Sequence, residues 1–330
     1  MKAEKNKALT RRTFLKSLAA PALISAYPMS ALASTFPERP ITLICPFGAG
    51  GSVDQYMRVL SKAAARHFKQ SIIIENKPGA GGALSTALVS KAKPDGYTLA
   101  MLSGSAFRAP WLTPDIGYSP LTDLTYIIGM TSLEFCAVVR KDSPIESFAD
   151  FMRLGKEKPG QLQYAAGDPT TSVPVSMVSI QKKYGVEFQH IPYKSGSDMA
   201  VAIMGGHVDV VIDSIGTYVP HLKSGELRLI GALGEHRFKS WPDVPTAVEQ
   251  GYDVVLSSPL GLIGPAGITE ERVARLHDGF RAAMLEPEVA GILDTLNQPE
   301  WHRTPENFKK YGAQAYHDAG QLLKTAGLIK

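Results

Sequence analysis

Two successive strand–loop–helix units, each turning through Gly-Ala-Gly-Gly, restrict the fold of this chain more than any other feature. An apolar run at 41–47 leads through the loop 48–51 into an amphipathic helix, and a run at 71–75 leads through the loop 79–82 into another. Strands that alternate with helices indicate an α/β fold with a largely parallel sheet. Backbone N–H groups at a helix N-terminus attract anions. The paired loops therefore predict an anion pocket built mainly from backbone.

The same alternation continues along the chain. A third strand at 98–102 ends in the loop Ser103-Gly104-Ser105, and a second set of strands and helices occupies about 147–216. Apolar runs at 227–233 and 254–263 return the chain, and the tail reads as helices. In parallel sheets ligands bind at the carboxyl ends of the strands. Two such sets with a return predict two α/β lobes.

The first helix and the middle of the chain are predicted in more detail. Ser52 stands where an N-cap residue is expected. The apolar runs 126–132 and 133–140 are predicted as two segments, the second of which crosses between the lobes. One face of the first helix is expected to be buried, because its apolar residues recur near the 3.6-residue period; these are Val53, Tyr56, Met57, Leu60, Ala64 and Phe68.

The first 33 residues carry the pattern of an export signal. Arg11-Arg12 precedes a modest apolar stretch at 18–27, and Ala31-Leu32-Ala33 is typical of a cleavage site. The alternative, a membrane anchor, is disfavoured because the stretch is well under the roughly 18 residues that span a bilayer. The sequence therefore predicts a removable twin-arginine signal at 1–33, with the exported chain beginning near Ser34.

The charge of the exported chain disfavours two classes of partner. The full chain has a formal net charge of +4, and residues 1–33 contain six basic residues and one acid, so their removal leaves −1. Such a chain has no long-range attraction to nucleic acid or to an anionic membrane. Its two cysteines, Cys45 and Cys136, lie in apolar runs and are compatible with either a disulfide or two buried thiols.

Signatures of catalysis are weak. The first loop departs from the dinucleotide pattern GxGxxG at Val53, and neither GxxxxGK[ST] nor GxSxG occurs. The eight histidines show no metal-binding spacing. We therefore expect no cofactor, no metal and no catalytic residue. An exported hydrolase that uses a cleft serine on a small carboxylate ester is the alternative.

Several residues beside the loops are candidates to line the pocket. Asp213 ends an apolar strand at the expected cleft, whereas Asp54, in the first turn of its helix, either lines the site or complements the helix dipole. Phe47 and Tyr193 adjoin the loops and either contact the ligand or pack the loop against its own lobe. Arg108 is a cation on a cleft-side loop that could read a distal carboxylate, although a solvated side chain is the more ordinary role.

Motifs spread along the whole exported chain carry a family resemblance. They occur at 46–54 (PFGAGGSVD), 75–82 (ENKPGAGG), 93–98 (KPDGYT), 192–194 (PYK), 208–214 (VDVVIDS), 243–246 (DVPT), 261–267 (GLIGPAG) and 287–289 (PEV). In this order they resemble the signatures of the Bug-type receptors. These are the periplasmic solute-binding proteins of tripartite tricarboxylate transporters.

The resemblance implies a fold, a function and partners. The fold is the type II periplasmic-binding-protein fold, in which a two-stranded hinge joins two α/β lobes with the ligand cleft between them. Lobe 1 would comprise 34–135 plus 258–330, and lobe 2 would comprise 136–257. The implied protein is a monomeric periplasmic receptor, not an enzyme, that delivers a small organic carboxylate to integral membrane transporter subunits. A ligand-sensing subunit for a membrane kinase is a further alternative.

The resemblance also implies a site of backbone amides, hydroxyls and ordered waters. Carried onto this sequence, its ligand-binding residues are Phe47, Gly50, Gly51, Ser52, Asp54, Gly81, Gly82, Ser103, Ser105, Gly167, Thr171, Ser172, Tyr193 and Asp213, with Arg108 as the residue that would select among ligands. One loop departs from the family pattern. Residues 167–173 read GDPTTSV, with Val173 or Pro174 where a histidine is expected. The second lobe is therefore where the resemblance says least about the ligand.

Overall fold

The computed structural model describes residues 36–330, so the predicted export signal lies outside the described residues. The strands are β1 (Ile41–Cys45), β2 (Ile72–Asn76), β3 (Thr98–Leu102), β4 (Leu124–Arg140), β5 (Gln163–Ala166), β6 (Gln189–Pro192), β7 (Val210–Ser214), β8 (Leu227–Ala232), β9 (Ser257–Pro265) and β10 (Glu300–Arg303). The helices are α1 (Ser52–Phe68), α2 (Ala83–Ser90), α3 (Ser105–Leu112), α4 (Phe148–Glu157), α5 (Ser172–Tyr184), α6 (Gly196–Met204), α7 (Val219–Ser224), α8 (Glu270–Met284), α9 (Pro287–Leu296) and α10 (Pro305–Ala326). Within this range, none is both long enough and apolar enough to cross a bilayer.

The first lobe is built on the sheet order β2-β1-β3-β9-β4, with β10 also paired to β4. Strands β1, β2 and β3 run parallel, and β9 returns antiparallel to β3. Helix α1 packs against α8 and α9. Its predicted apolar face is confirmed, because each of the six residues is at most 4% exposed. This burial anchors the helix that follows the first glycine loop.

The second lobe continues the sheet in the order β4-β7-β5-β6, with β8 on the free side of β4. Strands β5, β6 and β7 run parallel to one another, and β4 and β8 run antiparallel to their neighbours. The carboxyl ends of β5, β6 and β7 therefore lie at one edge of this lobe. Buried aliphatic side chains of α6, α7 and β8 form its separate apolar cluster.

Strand β4 corrects the prediction of two apolar segments at 126–140. It is one strand of 17 residues whose first part pairs with β9 and whose last part pairs with β7 and β8. The exchange of partner strands occurs between two adjacent residues: Glu134 pairs with Ser257 of β9, and Phe135 pairs with Ser214 of β7. Strands β4 and β9 thus connect the lobes. The lobe boundaries at 135/136 and 257/258 lie beside this exchange and stay a prediction.

Two further local expectations are decided by the structure. Ser52 is not the N-cap of α1: the helix begins at Ser52, and Gly51 is the N-cap without a side-chain hydrogen bond. The reason is that the Ser52 hydroxyl points to the second lobe, where it lies 2.9 Å from the hydroxyl of Ser214. Cys45 and Cys136 are buried free thiols, and burial raises the pKa of Cys45 to about 11.

Candidate functional site

Loops from both lobes enclose a cavity of about 90 Å³, called here the interlobe cavity. They follow the carboxyl ends of β1, β2 and β3 in the first lobe and of β5, β6 and β7 in the second. Leu133 and Phe135 of β4, together with Ser258 of β9, supply the wall at the connecting strands. Loops after six strand ends of the two lobes therefore converge on one small cavity, as the sequence predicts for its glycine and serine loops.

The helices that follow these loops begin at the cavity. Ser52, Ser105, Ser172 and Gly196 are the first residues of α1, α3, α5 and α6, and all four line it. A helix N-terminus carries partial positive charge and unsatisfied N–H groups. In the described part of the chain, the N–H groups of Ser172 and Val173 donate to no protein acceptor. The cavity therefore offers donors and positive potential to an anion.

One edge of the cavity is closed by contacts of the α1 N-terminus with the second lobe. The Ser52 N–H donates to Thr217 Oγ1 at 3.2 Å, and the Ser52 and Ser214 hydroxyls lie 2.9 Å apart. Close by, a Cβ added to Gly48 would lie 2.9 Å from the Cβ of Ser195. Glycine at position 48 therefore permits the two lobes to approach this closely.

The other edge is closed by the loop between β5 and α5. The Gly81 N–H donates to Asp168 Oδ2 at 2.8 Å, and the Thr170 hydroxyl donates to the Ala80 carbonyl at 3.2 Å. Arg108 Nε donates to the Thr170 carbonyl at 2.9 Å. Because these partners belong to opposite lobes, the structure represents a closed cleft.

Several N–H groups of the second glycine loop already have acceptors within the protein in this closed cleft. The N–H groups of Gly82 and Leu84 donate to the Gly79 carbonyl, and that of Ala83 donates to the Ala80 carbonyl. The N–H of Gly81 donates to Asp168. Sequence reasoning predicts two backbone anion sites side by side, but in this state the second already holds a carboxylate of the protein.

Arg108 lines the cavity from α3 without an ion-pair partner. Its Nη2 donates to the Ser172 hydroxyl at 3.1 Å, in addition to the Nε bond to Thr170. No acidic side chain in residues 36–330 lies within ion-pair distance of it. Burial lowers the pKa of Arg108 to about 10, so the group is charged at neutral pH. A buried cation without an anion is costly, and an external anion relieves that cost.

Asp213 lines the opposite wall, from the end of β7. Its Oδ2 accepts a hydrogen bond from the Tyr218 hydroxyl at 3.1 Å. Burial raises the pKa of Asp213 to about 6, and the bonds from Ser214 and Tyr218 offset only part of that effect. The carboxyl is therefore mostly ionised at neutral pH but accepts a proton in mild acid.

Most of the sequence-predicted site residues lie together. The cavity is lined by Phe47, Gly51, Ser52, Gly81, Gly82, Ser103, Ser105, Arg108, Gly167, Thr171, Ser172, Tyr193 and Asp213. Gly50 and Asp54 are not among the lining residues. Asp54 is instead buried beneath the first loop, where it accepts hydrogen bonds from the Gly50 N–H at 3.0 Å, Arg58 Nε at 2.9 Å and Asn76 Nδ2 at 2.9 Å. Its physical role is to hold the loop.

Several residues that line the interlobe cavity are not predicted from the sequence. Asp168, Ser195, Ser214 and Thr217 all contribute to the wall or to its cross-lobe contacts. Each lies at the end of a strand of the second lobe or follows it closely, and that position is the signal that could have identified them. The side-chain direction of Asp168 could not be found this way, because it depends on how closely the lobes approach.

The serines of the β3–α3 loop bear on the hydrolase alternative. The hydroxyls of Ser103 and Ser105 are hydrogen-bonded to each other at 2.7 Å, and both lie against the Gly81 carbonyl. Within the described range, neither is hydrogen-bonded to a histidine or a carboxylate that could take its proton. An activated serine needs such a base. These hydroxyls therefore serve to brace the second glycine loop.

Known proteins resemble this chain over nearly its whole length. The UPF0065 protein in the gbd 5′ region of Cupriavidus necator is 36% identical over 307 residues, covering 93% of each chain. The structure of the periplasmic binding protein BugD matches with a TM-score of 0.84 and 25% identity, covering 89% of this chain and 100% of BugD. MatC from Rhodopseudomonas palustris, with bound malate, matches with a TM-score of 0.81 and 26% identity, covering 87% of this chain and 100% of MatC.

These likenesses confirm the α/β fold of two lobes that the sequence predicts. The family profile described as tripartite tricarboxylate transporter family receptor matches residues 56–328. That match begins within α1 and ends after α10, and it includes the loops that line the cavity except the one between β1 and α1. The chain belongs to the family of tripartite tricarboxylate transporter receptors, which includes the Bug proteins.

Proposed function

We propose that this protein is a periplasmic receptor that binds a small organic carboxylate in the interlobe cavity and delivers it to membrane subunits of a tripartite transporter. The observation that carries the proposal is the convergence of four helix N-termini and the Arg108 guanidinium, which has no ion-pair partner among the described residues, on one cavity. Both features favour a bound anion over a neutral molecule. A relative of similar fold holds malate, an organic acid, which supports the same class of ligand here.

The available donors suffice for a useful affinity. A hydrogen bond to a charged acceptor contributes about 1.5–3 kcal/mol. Three or four such bonds, from Arg108 and from free N–H groups such as those of Ser172 and Val173, must also offset the costs of association and closure. A net of ~8 kcal/mol corresponds to a dissociation constant of ~1 μM. Because the donors belong to both lobes, the ligand binds the closed cleft more tightly than the open one and shifts the population towards closure.

We further propose that the chain reaches the periplasm by the twin-arginine route, with residues 1–33 removed. The lobes, 34–135 plus 258–330 and 136–257, would then close about β4 and β9. The small size of the cavity fits a metabolite and not a polymer. The charge of −1 after removal of the signal gives the protein little electrostatic attraction to a nucleic acid.

Thermal denaturation against a panel of carboxylic acids tests the proposal. A bound ligand stabilises the native state by about 2.7 kcal/mol when its concentration is 100 times its dissociation constant. We expect at least one acid to raise the unfolding midpoint saturably and to be recovered unchanged. A panel that shifts nothing would contradict the carboxylate receptor. Consumption of the acid or its ester during incubation would favour the hydrolase.

A further inference from the structure

We propose that Asp168 makes the receptor selective for ligands with a single carboxylate, because its own carboxylate occupies the anion position of the second glycine loop. The inference rests on the proposed function, since it assumes that an organic acid enters the interlobe cavity. It adds the class of acid: a small monocarboxylate whose far end is uncharged.

The carboxylate of Asp168 already occupies a donor of the second glycine loop. Asp168 Oδ2 accepts the Gly81 N–H across the cleft at 2.8 Å. The neighbouring N–H groups of residues 82–84 donate to carbonyls of the same turn. The 3₁₀ turn Ala80–Gly82 and the start of α2 therefore have no unused donor between Gly81 and Leu84 in the closed state. A ligand carboxylate could accept the Gly81 N–H only by displacing Asp168.

The wall of the interlobe cavity contains two acidic and two basic residues. Asp168 and Asp213 are its acidic residues, and Arg108 and Lys194 are its basic ones. Lys194 is exposed, so its ammonium is hydrated and screened by solvent. Arg108 is half-buried, so its charge is less screened than that of Lys194. A second ligand carboxylate would have no desolvated cation to pair with and would meet the field of two acids instead.

One position for a ligand carboxylate lies beside Arg108. Arg108 lines the cavity and donates two of its five N–H groups to Thr170 and Ser172. Its other N–H groups donate to no acceptor among the described residues. The unpartnered N–H groups of Ser172 and Val173 lie in the same wall, at the start of α5. A carboxylate bound between them would neutralise the guanidinium and complement the α5 dipole. The rest of the ligand would then extend towards the acidic groups.

Length-matched pairs of acids test this inference. The probes are 4-hydroxybutanoate with succinate, 5-hydroxypentanoate with glutarate, and 6-hydroxyhexanoate with adipate. Within each pair the far carboxylate is replaced by a neutral hydroxyl on the same carbon chain. Titration calorimetry of the purified protein at pH 7.5 should give at least tenfold tighter binding of the hydroxy acid in every pair that binds. A dicarboxylate that binds equally well or better would overturn the inference.

The variant Asp168→Asn should erase this preference. Its amide oxygen can still accept the Gly81 N–H, but the negative charge is gone. The ratio of the two dissociation constants within a pair cancels any change in the cost of closure, since both ligands meet the same cleft. We expect the ratio to fall at least tenfold. Asp198→Asn is the matched control, because Asp198 is an exposed acid on α6 outside the cavity wall.

The possible results distinguish a wrong role for Asp168 from a wrong proposed function. If Asp168→Asn leaves the ratio unchanged, or Asp198→Asn lowers it equally, the role of Asp168 is wrong while the carboxylate receptor stands. If none of the six acids binds and the wider panel of carboxylic acids also fails, the proposed function itself is contradicted and the inference falls with it. Binding of the wider panel restricted to dicarboxylates would contradict the inference alone.

Discussion

Asp54 illustrates how a residue beside the ligand site differs from one inside it. Sequence alone gives equal weight to lining the pocket and to complementing the helix dipole. The structure shows a third role: the carboxylate binds Gly50, Arg58 and Asn76 and thereby joins the first glycine loop to α1 and β2. Such a role follows from side-chain direction, which a single sequence does not reveal.

Replacement of Asp54 by Asn should destabilise the protein by about 1–3 kcal/mol, because hydrogen bonds to a buried charged acceptor are weakened. Burial opposes ionisation of Asp54, but the bonds from Arg58, Gly50 and Asn76 outweigh it and hold its pKa below the ordinary value. Its stabilising contribution is therefore present above the ordinary pKa and is lost as the pH falls below it. Urea unfolding at pH 7 and in acid measures both effects.

The control for this variant is Asp294→Asn, at an exposed position of α9 whose side chain makes no hydrogen bond. Its free energy of unfolding should change by less than about 0.5 kcal/mol. Equal losses in the two variants would mean that Asp54 does not hold the loop.

Asp213 should make ligand binding depend on pH. Because burial raises its pKa to about 6, the acid is largely ionised at pH 7.5 and largely protonated at pH 5. Protonation removes a negative charge from the cavity, so affinity for a carboxylate should rise several-fold between these values. The folded state also binds this proton more tightly than the unfolded state, so Asp213 favours folding increasingly as the pH falls through 6. Calorimetric titrations at both pH values measure the change in affinity, and Asp213→Asn should flatten it; an unchanged slope would contradict this assignment.

At the scale of elements, the glycine loops and long helices could be predicted, whereas irregular elements could not. The prediction that Arg108 stands on a loop is wrong, because α3 begins at Ser105 and includes Arg108 despite Pro110 in its last turn. Pro110 does remove a donor to the Ala106 carbonyl, but the Tyr118 hydroxyl donates to that carbonyl at 2.9 Å. A side chain from outside the helix thus satisfies the carbonyl that Pro110 leaves without a donor. Local sequence patterns do not reveal such a contact.

The division of β4 into two segments failed for a related reason. Thr131 and Ser132 interrupt an apolar run and suggest a boundary. In the structure both are buried, and the Thr131 hydroxyl donates to the Pro299 carbonyl at 2.8 Å. The polar groups are satisfied, so the strand continues into the second lobe. Pro299 directly precedes strand β10, which is only four residues long and has no distinctive sequence pattern.

The loop before α1 yields a prediction at this scale. Gly51 has an ordinary φ of −71°, and an added Cβ would lie 3.8 Å from the Gly48 carbonyl oxygen, so the backbone and a Cβ are compatible with a residue other than glycine. Gly51→Leu should leave the free energy of unfolding within about 1 kcal/mol of the wild-type value. It should weaken carboxylate binding at least 100-fold, because the side chain occupies the cavity. Urea unfolding and calorimetry measure the two quantities.

The matched control is Gly291→Leu, at an exposed glycine of α9 with open space around it. This variant should bind like the wild type. If Gly51→Leu also binds normally, the ligand site lies elsewhere.

The whole molecule combines two lobes that meet through direct hydrogen bonds around the cavity. Its fold class could be predicted because strand–helix alternation and the order of motifs are properties of the sequence. The contacts that close the cleft, such as Ser52 with Thr217 and Gly81 with Asp168, join residues 165 and 87 positions apart. They depend on how the lobes meet, so sequence reasoning found the loops but not their pairing.

Export is also a property of the whole chain. Replacing Arg11 and Arg12 by Lys keeps the charge of the signal but removes the twin-arginine pair. The full-length variant should lose most of its periplasmic fraction and accumulate uncleaved, as measured by cell fractionation and immunoblotting. Lys2→Arg with Lys5→Arg is the control and should be exported normally. Equal periplasmic amounts of the two variants would contradict the proposed route.

The central claim is that the interlobe cavity binds an organic carboxylate through Arg108. Its most direct test is calorimetric titration of the tightest acid from the panel into the wild type, Arg108→Gln and the surface control Arg153→Gln. We predict one site with a dissociation constant of ~1 μM in the wild type and the control, and at least 100-fold weaker binding in Arg108→Gln. Absence of binding to the wild type, or equal affinity of all three proteins, would contradict the claim.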